Sequence, residues 1–485
     1  MTVVCLVANS ISKDTRVIKV ANAVKESGRD ICVVGLQDNS QTCASEISNT
    51  GIKYFRLPWR SSAYQHIANL TRWFGLAVLV LCIAIYELNL INERVLIYLI
   101  FMPLALWLIL RVSNKFTAIA KKYEQSTENS LTKEKERLKS KASLNGSLSK
   151  KGLNLNRIVA IFSNAKAVLM QVLIARYRDR AFVDFVVKLN PCIVHCHDIT
   201  TLHAGVIIKK KTGAKLIYDA HEYYEGSAGL SPTRKNLFKL IHLKCCYFVD
   251  TFFVVNKSIA CLYKKEYKKF VDPIVIMNAV NIPPFSEYDG RLHKAAGVSS
   301  DKKIILFQGG YSKFRGLDKL IDCACYFPDD WVLVLMGWGM LESSLREQVE
   351  SYSRELGREI AVRFIPAAPQ EDLMLWTQGA EVGVILYENN GINHKYCTPN
   401  KLWEFPAAGV PIIVSPRVEM EAIVNKYEHG VVIKEPFDHV ELNKVIYTII
   451  ENKEVYKKNC LKFMKENSWD LYKNTIQHEY NLLCH

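Results

Sequence analysis

Short apolar stretches alternate with amphipathic segments from the first residues of the chain onward. Residues 2–8 predict a strand, a polar loop follows, and hydrophobic positions then recur at helical spacing over Thr15–Glu26. The apolar residues 31–36 predict the next strand. A strand, a helix and a second strand in this order predict a βαβ unit and a parallel sheet. No GxGxxG motif follows the first strand, which disfavours a dinucleotide dehydrogenase.

The same alternation returns in the second half of the chain. Helical patterns are predicted over 158–188 and near the end of the chain, from 467 to 483. Several predicted strands are followed by polar residues at their carboxyl ends. Open α/β sheets bind their ligands at these ends. We predict these further strands within 193–196, 216–222, 251–258, 274–277, 303–307, 331–336, 362–366, 381–386 and 412–414.

Two long apolar runs, 73–91 and 95–112, interrupt the first half of the chain. Each is about as long as a segment that spans a bilayer, so we predict a membrane hairpin at 73–112. Basic residues flank it on both sides, which favours a cytoplasmic location for both flanks. A buried pair of core helices and a shallow re-entrant hairpin remain alternatives. The polar residues 113–156 predict a linker, either flexible or a frayed helix, that lies on anionic lipid and carries no catalytic residue.

Composition narrows the class of protein. The chain has 485 residues and 49% hydrophobic content, enough for two or three cores. A net charge of +15 suits a nucleic acid, an anionic membrane surface or a phosphorylated substrate, and charge alone does not choose among them. The 14 cysteines include no CxxC ligand set, so we expect free thiols in a reducing compartment. The N-terminus lacks the basic region of a signal peptide and is interpreted as a first core strand.

The segment 397–411, CTPNKLWEFPAAGVP, carries the densest candidate chemistry. Asn400, Lys401 and Glu404 open a predicted helix that Ala-Ala-Gly closes, and an apolar strand follows. A lysine at a helix start is disfavoured by the helix dipole, and an anionic ligand would relieve that conflict. We therefore predict an anion site at this helix.

A second basic feature lies in the turn that we predict after the strand at 303–307. Gly309 and Gly310 permit close approach of the backbone to a ligand, and Arg315 offers a bidentate fork suited to a diphosphate. The sequence contains no metal-ligand cluster such as Asp-x-Asp near these residues. We therefore predict that cations and backbone amides, with no metal, hold the phosphates.

Histidines follow another predicted strand, at 193–196. The end of this strand should place His197 at the cleft. His195, His197 and Asp198 offer metal-ligand atoms, but consecutive strand positions point to opposite faces of a sheet. A histidine that faces the core and a zinc ligand are the alternatives to a histidine that approaches substrate.

These segments together resemble the retaining GT-B glycosyltransferases of family four, the group 1 glycosyltransferases. The segment 397–411 resembles the family's nucleotide-sugar signature, and "NPCIVHCHD", "YDAHE" and "NSW" resemble motifs of the first domain and of the C-terminal tail. The resemblance implies an α/β, GT-B fold in which two Rossmann-like doubly wound parallel-sheet domains face a cleft, with the hairpin inserted in the first. It implies an N-terminal acceptor domain (1–290), a nucleotide-sugar domain (300–466) and a helix (467–485) that returns to the first domain.

The resemblance also implies roles for individual residues. His197 would approach the donor sugar, while Arg315 and Lys401 would bind the diphosphate, and these three are the candidate catalytic residues. The family has an earlier arginine at Gly309–Gly310, and its first signature glutamate falls at Tyr396. The candidate donor-binding residues are Gly309, Gly310, Gly339, Ala367, Thr398, Asn400 and Glu404, with Glu404 accepting the ribose hydroxyls. The candidate residues on the acceptor side are Asp14, Arg16, His221 and Glu222, of which the last two are equally explained as loop supports.

The predicted function is transfer of a hexosyl group, without metal or cofactor, from a nucleotide-diphosphate sugar with retention at the anomeric carbon. The hairpin and the basic charge indicate a polyprenyl-diphosphate-linked acceptor at the cytoplasmic face of the plasma membrane, in bacterial surface-polysaccharide assembly. Nucleic acid is not among the expected partners. A nucleotide-sugar 2-epimerase of the same architecture is one alternative. A catalytically silent membrane scaffold is the other, suggested by the missing arginine and the missing first glutamate.

Overall fold

The computed structural model describes residues 2–12, 14–37, 43–58, 172–227, 229–283 and 287–483. Residues 1–57 and 179–485 form one compact unit, which contains both sheets. The other unit, 58–178, is described only at residue 58 and over 172–178, where it is helical. The hairpin predicted at 73–112 and the linker predicted at 113–156 lie outside the described residues.

The first sheet has eight strands in the order β3-β4-β2-β1-β5-β6-β7-β8. Neighbouring strands are parallel except for the edge pair β3 and β4, which is antiparallel. The strands are β1 (Thr2–Leu6), β2 (Asp30–Leu36), β3 (Ser45–Ile47), β4 (Lys53–Leu57), β5 (Ile193–His197), β6 (Lys215–Ala220), β7 (Thr251–Val254) and β8 (Pro273–Val275).

The second sheet has six strands in the order β11-β10-β9-β12-β13-β14, and all its neighbouring pairs are parallel. The prediction of an α/β protein with two parallel-sheet domains is thereby confirmed. The strands are β9 (Lys303–Gly310), β10 (Trp331–Trp338), β11 (Val362–Ile365), β12 (Val382–Ile385), β13 (Ile412–Val414) and β14 (Gly430–Val432).

Helices connect the strands of both sheets. Residues 172–186 are also helical and lead into β5. The helices of the first half are α1 (Thr15–Glu26), α2 (Ile199–Thr212), α3 (Pro232–Cys245), α4 (Lys257–Glu266) and α5 (Arg291–Ala296). Those of the second half are α6 (Leu317–Ala324), α7 (Glu342–Leu356), α8 (Leu373–Thr377), α9 (Ile392–Lys395), α10 (Lys401–Ala407), α11 (Val418–Tyr427), α12 (His439–Glu451), α13 (Lys453–Glu466) and α14 (Trp469–Leu483).

Helix α1 has the bounds that the hydrophobic pattern predicts. Its N-cap is Asp14, whose carboxylate accepts a hydrogen bond from the Val17 amide. Val17, Val20 and Val24 are fully buried, so one face of the helix packs on the sheet. The cap and the buried stripe together position the loop between β1 and α1, which reaches the cleft.

Strand β9 corrects a sequence prediction. We expected a strand over 303–307 and a turn from Gln308, but β9 continues to Gly310, and Trp338 of β10 pairs with Gly310. A β-carbon on Gly337 would lie 1.9 Å from the Gly309 carbonyl oxygen. Because Gly337 has none, the two strands stay paired to their ends.

Helix α14 packs against α1 of the first half. Gln477 donates to the Ala23 carbonyl at 2.8 Å, and Lys473 pairs with Glu26 at 3.1 Å. Tyr480 is fully buried and lies 2.7 Å from His195 Nδ1 on β5. The last helix of the described chain is thus anchored in the first sheet.

Two further expectations bear on membranes and on cysteine chemistry. None of the described helices combines the length and the apolar composition that a bilayer crossing requires. The 12 cysteines that the structure describes are all free, as the spacing predicted.

Candidate active site in the cleft

Two cavities of about 430 and 380 Å³ lie at the carboxyl ends of the strands. Both are lined by His221, which follows β6, and by Asn278, which follows β8. The first cavity is otherwise lined by Asn9, Ser10, Asp14, Thr15, Arg16 and Asn400. The second is also lined by Glu222, Ser227, Val255, Asn256 and Ile259 from the first half, and by Arg315, Tyr387, Asn390, Asn393, His394, Tyr396, Cys397, Thr398 and Pro399 from the second.

Arg16, which lines the first cavity, forms a buried ion pair with Asp219. Its guanidinium donates to both carboxylate oxygens of Asp219, at 2.8 and 2.7 Å, and also to the Ile276 carbonyl and the Asn278 side chain. Burial opposes the charge of Asp219, yet Arg16 and His221 hold its pKa well below the ordinary value. Arg16, a predicted acceptor-side residue, thus joins the ends of several strands.

His197 lies below the cleft, which corrects the prediction that it faces the cavity. It is fully buried, and its ring stacks on His195 with the centroids 4.2 Å apart. The two histidines are two positions apart on β5, so they share one face of the strand, and the argument from opposite faces does not apply to them. His197 Nδ1 lies 3.3 Å from His221 Nε2, so His197 supports the histidine that does line the cavities.

His221 lies between two carboxylates. Its Nδ1 is 3.3 Å from Asp198 Oδ1, and its Nε2 is 3.5 Å from Asp219 Oδ2. Burial disfavours the imidazolium, but the two carboxylates outweigh burial and raise the pKa of His221 to about 8. Burial raises the pKa of Asp198 as well. His221 therefore presents a protonated or readily protonated ring to the cleft near neutral pH.

The loop that follows His221 is fixed by a buried network. The Glu225 carboxylate lies 2.6 Å from His242 Nδ1 and also accepts a hydrogen bond from Tyr267. His242 is fully buried on α3, and its Nε2 lies 2.9 Å from the Tyr218 hydroxyl. The network ties α3 to the loop that lines the cleft.

Lys401 and Arg315 supply positive charge on the side of the second sheet. Burial, followed by the nearby Arg315 charge, lowers the pKa of Lys401 to about 8. Arg315 lies over the Tyr387 ring, 4.0 Å from its centroid, and donates to Ser312. Neither cation forms an ion pair with a carboxylate that the structure describes. The pair is therefore available for an anion.

Gly309 provides the space for the Lys401 ammonium. Its φ is +121°, and a β-carbon there would lie 2.8 Å from Lys401 Nζ. Gly310 has no such constraint, since its nearest neighbour would be 3.9 Å away. Of the two candidate glycines, Gly309 is the one that the cation needs.

Glu404 extends the same site. It is buried on α10 and accepts a hydrogen bond from Gln308 at 2.9 Å, while Thr377 donates to Gln308 Oε1 at 2.9 Å. This chain orients the Glu404 carboxylate. Helix α10 itself has only seven residues, and Asn400 makes no side-chain hydrogen bond as its N-cap. The site therefore depends on side chains more than on the helix start that we expected.

Side chains from the two halves meet across the second cavity. Asn256 donates to the Tyr396 carbonyl at 2.8 Å and to the Thr398 hydroxyl at 3.1 Å. Asn393 donates to Glu222 at 2.8 Å. Thr398 and Glu222, predicted on the donor and acceptor sides, both take part in holding the halves together.

The remaining predicted residues differ in position, since Ala367 and Gly339 line neither of the two cavities. Asp14 caps α1 and accepts from Asn9 at 2.8 Å, and it lines the first cavity. Ala367 is exposed in the loop after β11. A β-carbon on Gly339 would lie 2.4 Å from the Tyr311 carbonyl oxygen, so packing alone requires glycine there.

Residues that the sequence reasoning missed complete the site. Asp219, Asn256 and Asn278 each stand where an apolar strand gives way to polar residues. The sequence contained this change from apolar to polar residues as a signal. Gln308 was placed in a turn, whereas the structure shows it as a buried residue of β9. Asn393 meets its partner across the cleft from 171 positions away, and no local pattern indicates such a contact.

Two groups of side chains bring possible metal-ligand atoms within 4.8 Å of one another. One is His197, Asp219 and His221, but both Asp219 oxygens accept from Arg16, whose charge opposes a metal ion. The other is Cys5, His195 and His197, in which the imidazole planes stack at 19° and do not converge on one point. We assign neither as a metal centre, and the expectation of a metal-free site stays a prediction.

Sequence comparison finds a family match in the second half of the chain. Residues 290–465 match the model of the family Glycosyl transferases group 1. An uncharacterized glycosyltransferase of Methanocaldococcus jannaschii is 24% identical over an alignment of 253 residues that covers 49% of this chain. The alignment covers 61% of that relative's length. Strands β9 to β14, together with Arg315, Lys401 and Glu404, lie inside the family match.

Solved structures share the fold over the whole chain. Sucrose-phosphate synthase of Thermosynechococcus elongatus aligns with a TM-score of 0.62 at 12% identity, covering 100% of this chain and 99% of that one. Anabaena HepE in complex with UDP-glucose aligns with a TM-score of 0.60 at 12% identity, covering 99% of both chains. A glycosyltransferase of Rickettsia africae aligns with a TM-score of 0.56 at 13% identity, covering 100% of this chain and 98% of that one. The fold is therefore GT-B, as predicted.

Proposed function

We propose that the protein is a group 1 glycosyltransferase that takes a hexosyl group from a nucleotide-diphosphate sugar. One observation carries the proposal: no described carboxylate forms an ion pair with Arg315 or Lys401, and Lys401 lies near both Arg315 and Glu404 within the family match. A diphosphate would neutralise the cations, and Glu404 would accept the ribose hydroxyls. The complex of HepE with UDP-glucose supports a nucleotide-sugar donor, because the two proteins share the fold.

The chemistry follows from where charge develops. The bond between the anomeric carbon and the diphosphate oxygen breaks, and Arg315, Lys401 and backbone amides stabilise the leaving diphosphate. The acceptor hydroxyl attacks the same face, and its proton passes to the leaving phosphate oxygen, so configuration is retained. No metal takes part in this proposal. His221 lines both cavities and would orient the sugar or the acceptor by hydrogen bonds.

We further propose a lipid-linked acceptor. The apolar runs within 73–112 and the net charge of +15 support an acceptor carried by a polyprenyl diphosphate at the cytoplasmic face of the plasma membrane. Assembly of a bacterial surface polysaccharide is the process that such an acceptor serves.

The test combines donor binding with transfer. Membranes that contain the full-length protein are incubated with a panel of radiolabelled nucleotide sugars, and the lipid fraction is extracted. The R315A/K401A variant should lose transfer by about a hundredfold or more and should no longer bind nucleoside diphosphates in calorimetric titrations. Lys319→Ala is the matched control, because Lys319 lies over the Phe437 ring and lines neither of the two cavities.

Three outcomes would contradict the proposal. A folded R315A/K401A variant that transfers sugar at the wild-type rate would contradict the assignment of Arg315 and Lys401 to the diphosphate. Release of free nucleotide without any acceptor, with no labelled lipid formed, would favour the epimerase. Absence of nucleoside-diphosphate binding by the wild type would favour the silent scaffold.

A further inference from the structure

Helix α3 exposes large apolar side chains on the side opposite its buried face. Leu240 and Leu243 are each 46% exposed, and Tyr247, in the 3-10 turn after the helix, is 67% exposed. Their spacing of three and four residues places them on one face. His242 and Cys245 are buried on the other face. Soluble surfaces seldom group such residues, and a group of them marks a binding surface.

The charges around these residues are basic. Helix α3 contains no aspartate or glutamate, and it carries Lys235, Lys239 and Lys244. Lys210 of α2 joins them, with its ammonium 4.2 Å from the centroid of the Phe248 ring. The carboxylate of Glu266 nearby is already paired with Lys239.

Among the described residues, no carboxylate forms an ion pair with Lys210, Lys235 or Lys244. Lys239 and Lys244 stand next to Leu240 and Leu243 in the helix, so their stems can cover apolar surface while the ammonium groups reach outward. Exposed Leu and Tyr side chains bordered by lysines are the composition of helices that bind at membrane interfaces.

We propose that Pro232–Phe248, named here the α3 surface, docks on an anionic lipid bilayer. The apolar side chains enter the boundary between headgroups and acyl chains, and the lysines contact anionic headgroups. A second copy of the chain fits this surface less well. A twofold contact would bring the same lysines against each other without a carboxylate from α3 to neutralise them.

The position of α3 relates docking to catalysis. His242 of α3 holds Glu225, which belongs to the loop that begins with His221 at the cleft. A bilayer on the exposed face of α3 would therefore be separated from this loop by the helix itself, which is about 10 Å thick. This step rests on the proposed transfer to a lipid-borne acceptor, whereas the docking itself is measured without any transfer.

Hydrogen exchange of the full-length protein tests docking locally, whatever else attaches the chain to the membrane. The protein is reconstituted in phosphatidylcholine alone or with about one third phosphatidylglycerol, a composition that provides the anionic surface. Backbone amides of Thr233–Phe248 should exchange several-fold more slowly with phosphatidylglycerol than without it. The L240S/L243S variant should lose that protection and should retain wild-type affinity for nucleoside diphosphates.

The matched control is V455S/L461S on α13, where the apolar residues are 59% and 48% exposed among lysines and glutamates. It should keep the protection of the α3 surface. Equal exchange in the two lipids would overturn the proposal. Protection that needs no lipid and grows with protein concentration would overturn it in favour of self-association. Absence of nucleoside-diphosphate binding by the wild type would refute the proposed function but would not contradict docking.

Discussion

The Lys401 ammonium occupies the space that a side chain on Gly309 would fill. A β-carbon on Gly309 would lie 2.8 Å from Lys401 Nζ and 3.1 Å from Lys401 Cε. The residues are far apart in sequence, on β9 and on α10. Their contact makes the glycine at the end of β9 part of the cation site, because it decides where the ammonium rests.

Gly309→Ala should weaken nucleoside-diphosphate binding by about tenfold, since the new methyl group displaces the ammonium and a charged hydrogen bond is lost. Alanine at position 309 would also be strained, because the backbone φ there is +121°. Isothermal titration measures the affinity. Gly357→Ala is the control for strain alone, with φ +63° and no atom within 4 Å of the added carbon. Equal affinities of the two variants would refute the steric role of Gly309.

The affinity for nucleoside diphosphates should fall as pH rises. The pKa of Lys401 is about 8 in the free protein, so the ammonium is lost above that pH. Affinity should then drop by up to about tenfold per pH unit, because only the charged form attracts the diphosphate. Titrations between about pH 7 and pH 9.5 measure the slope. Lys401→Arg keeps its charge throughout and should give a flatter profile, and a slope unchanged in that variant would assign the effect to another group.

Asp219→Asn should strongly destabilise the fold. Asp219 is fully buried and bonded through both oxygens to Arg16, so the substitution leaves a buried guanidinium without its counter-charge. Breaking such a pair costs about 3–5 kcal/mol of unfolding free energy. Urea denaturation measures this loss. Asp184→Asn breaks the pair with Arg180, whose side chains are 61% and 80% exposed, and should change little. Similar losses of unfolding free energy in both variants would contradict the larger contribution of the buried pair to stability.

His221 should stabilise the protein in a pH-dependent way. Its pKa is raised from 6.5 to about 8 on folding, so its contribution is fully present below pH 6.5 and is lost as pH rises through 8. The stability advantage of the wild type over His221→Gln should therefore shrink by about 2 kcal/mol between about pH 6 and pH 9. His478→Gln, an exposed position, is the control. An advantage that is independent of pH would mean that the carboxylates do not hold the imidazolium.

Glu404→Gln should affect nucleosides more than phosphates. If the carboxylate accepts the ribose hydroxyls, the amide accepts them less well, and nucleoside-diphosphate affinity should fall by about tenfold. Pyrophosphate, which has no ribose, should bind as it does to the wild type. Calorimetry with both ligands distinguishes a role of Glu404 at the ribose from a role at the phosphates. Equal weakening for both ligands would place Glu404 at the phosphates instead.

The sequence alone determined the fold class and the region of the site. Most strands and α1 follow from hydrophobic periodicity, which depends only on neighbouring residues in the chain. The short strands β3, β4 and β14 were not predicted. Segment 397–411 indicated Lys401 and Glu404, since charged residues between a predicted loop and a buried strand stand out locally. Contacts between residues that are near in sequence, such as the cap that Asp14 forms on α1, can also be predicted from local patterns.

Only the tertiary structure decided which of these side chains meet. Register and burial place His197 below the cleft and His221 in it, although both follow similar strands. The bond of Arg16 to Asp219 and the space that Gly309 leaves for Lys401 join residues about two hundred and one hundred positions apart. A local pattern states which face of an element is buried, but a contact across the fold depends on how the elements pack. That packing is a property of the whole chain.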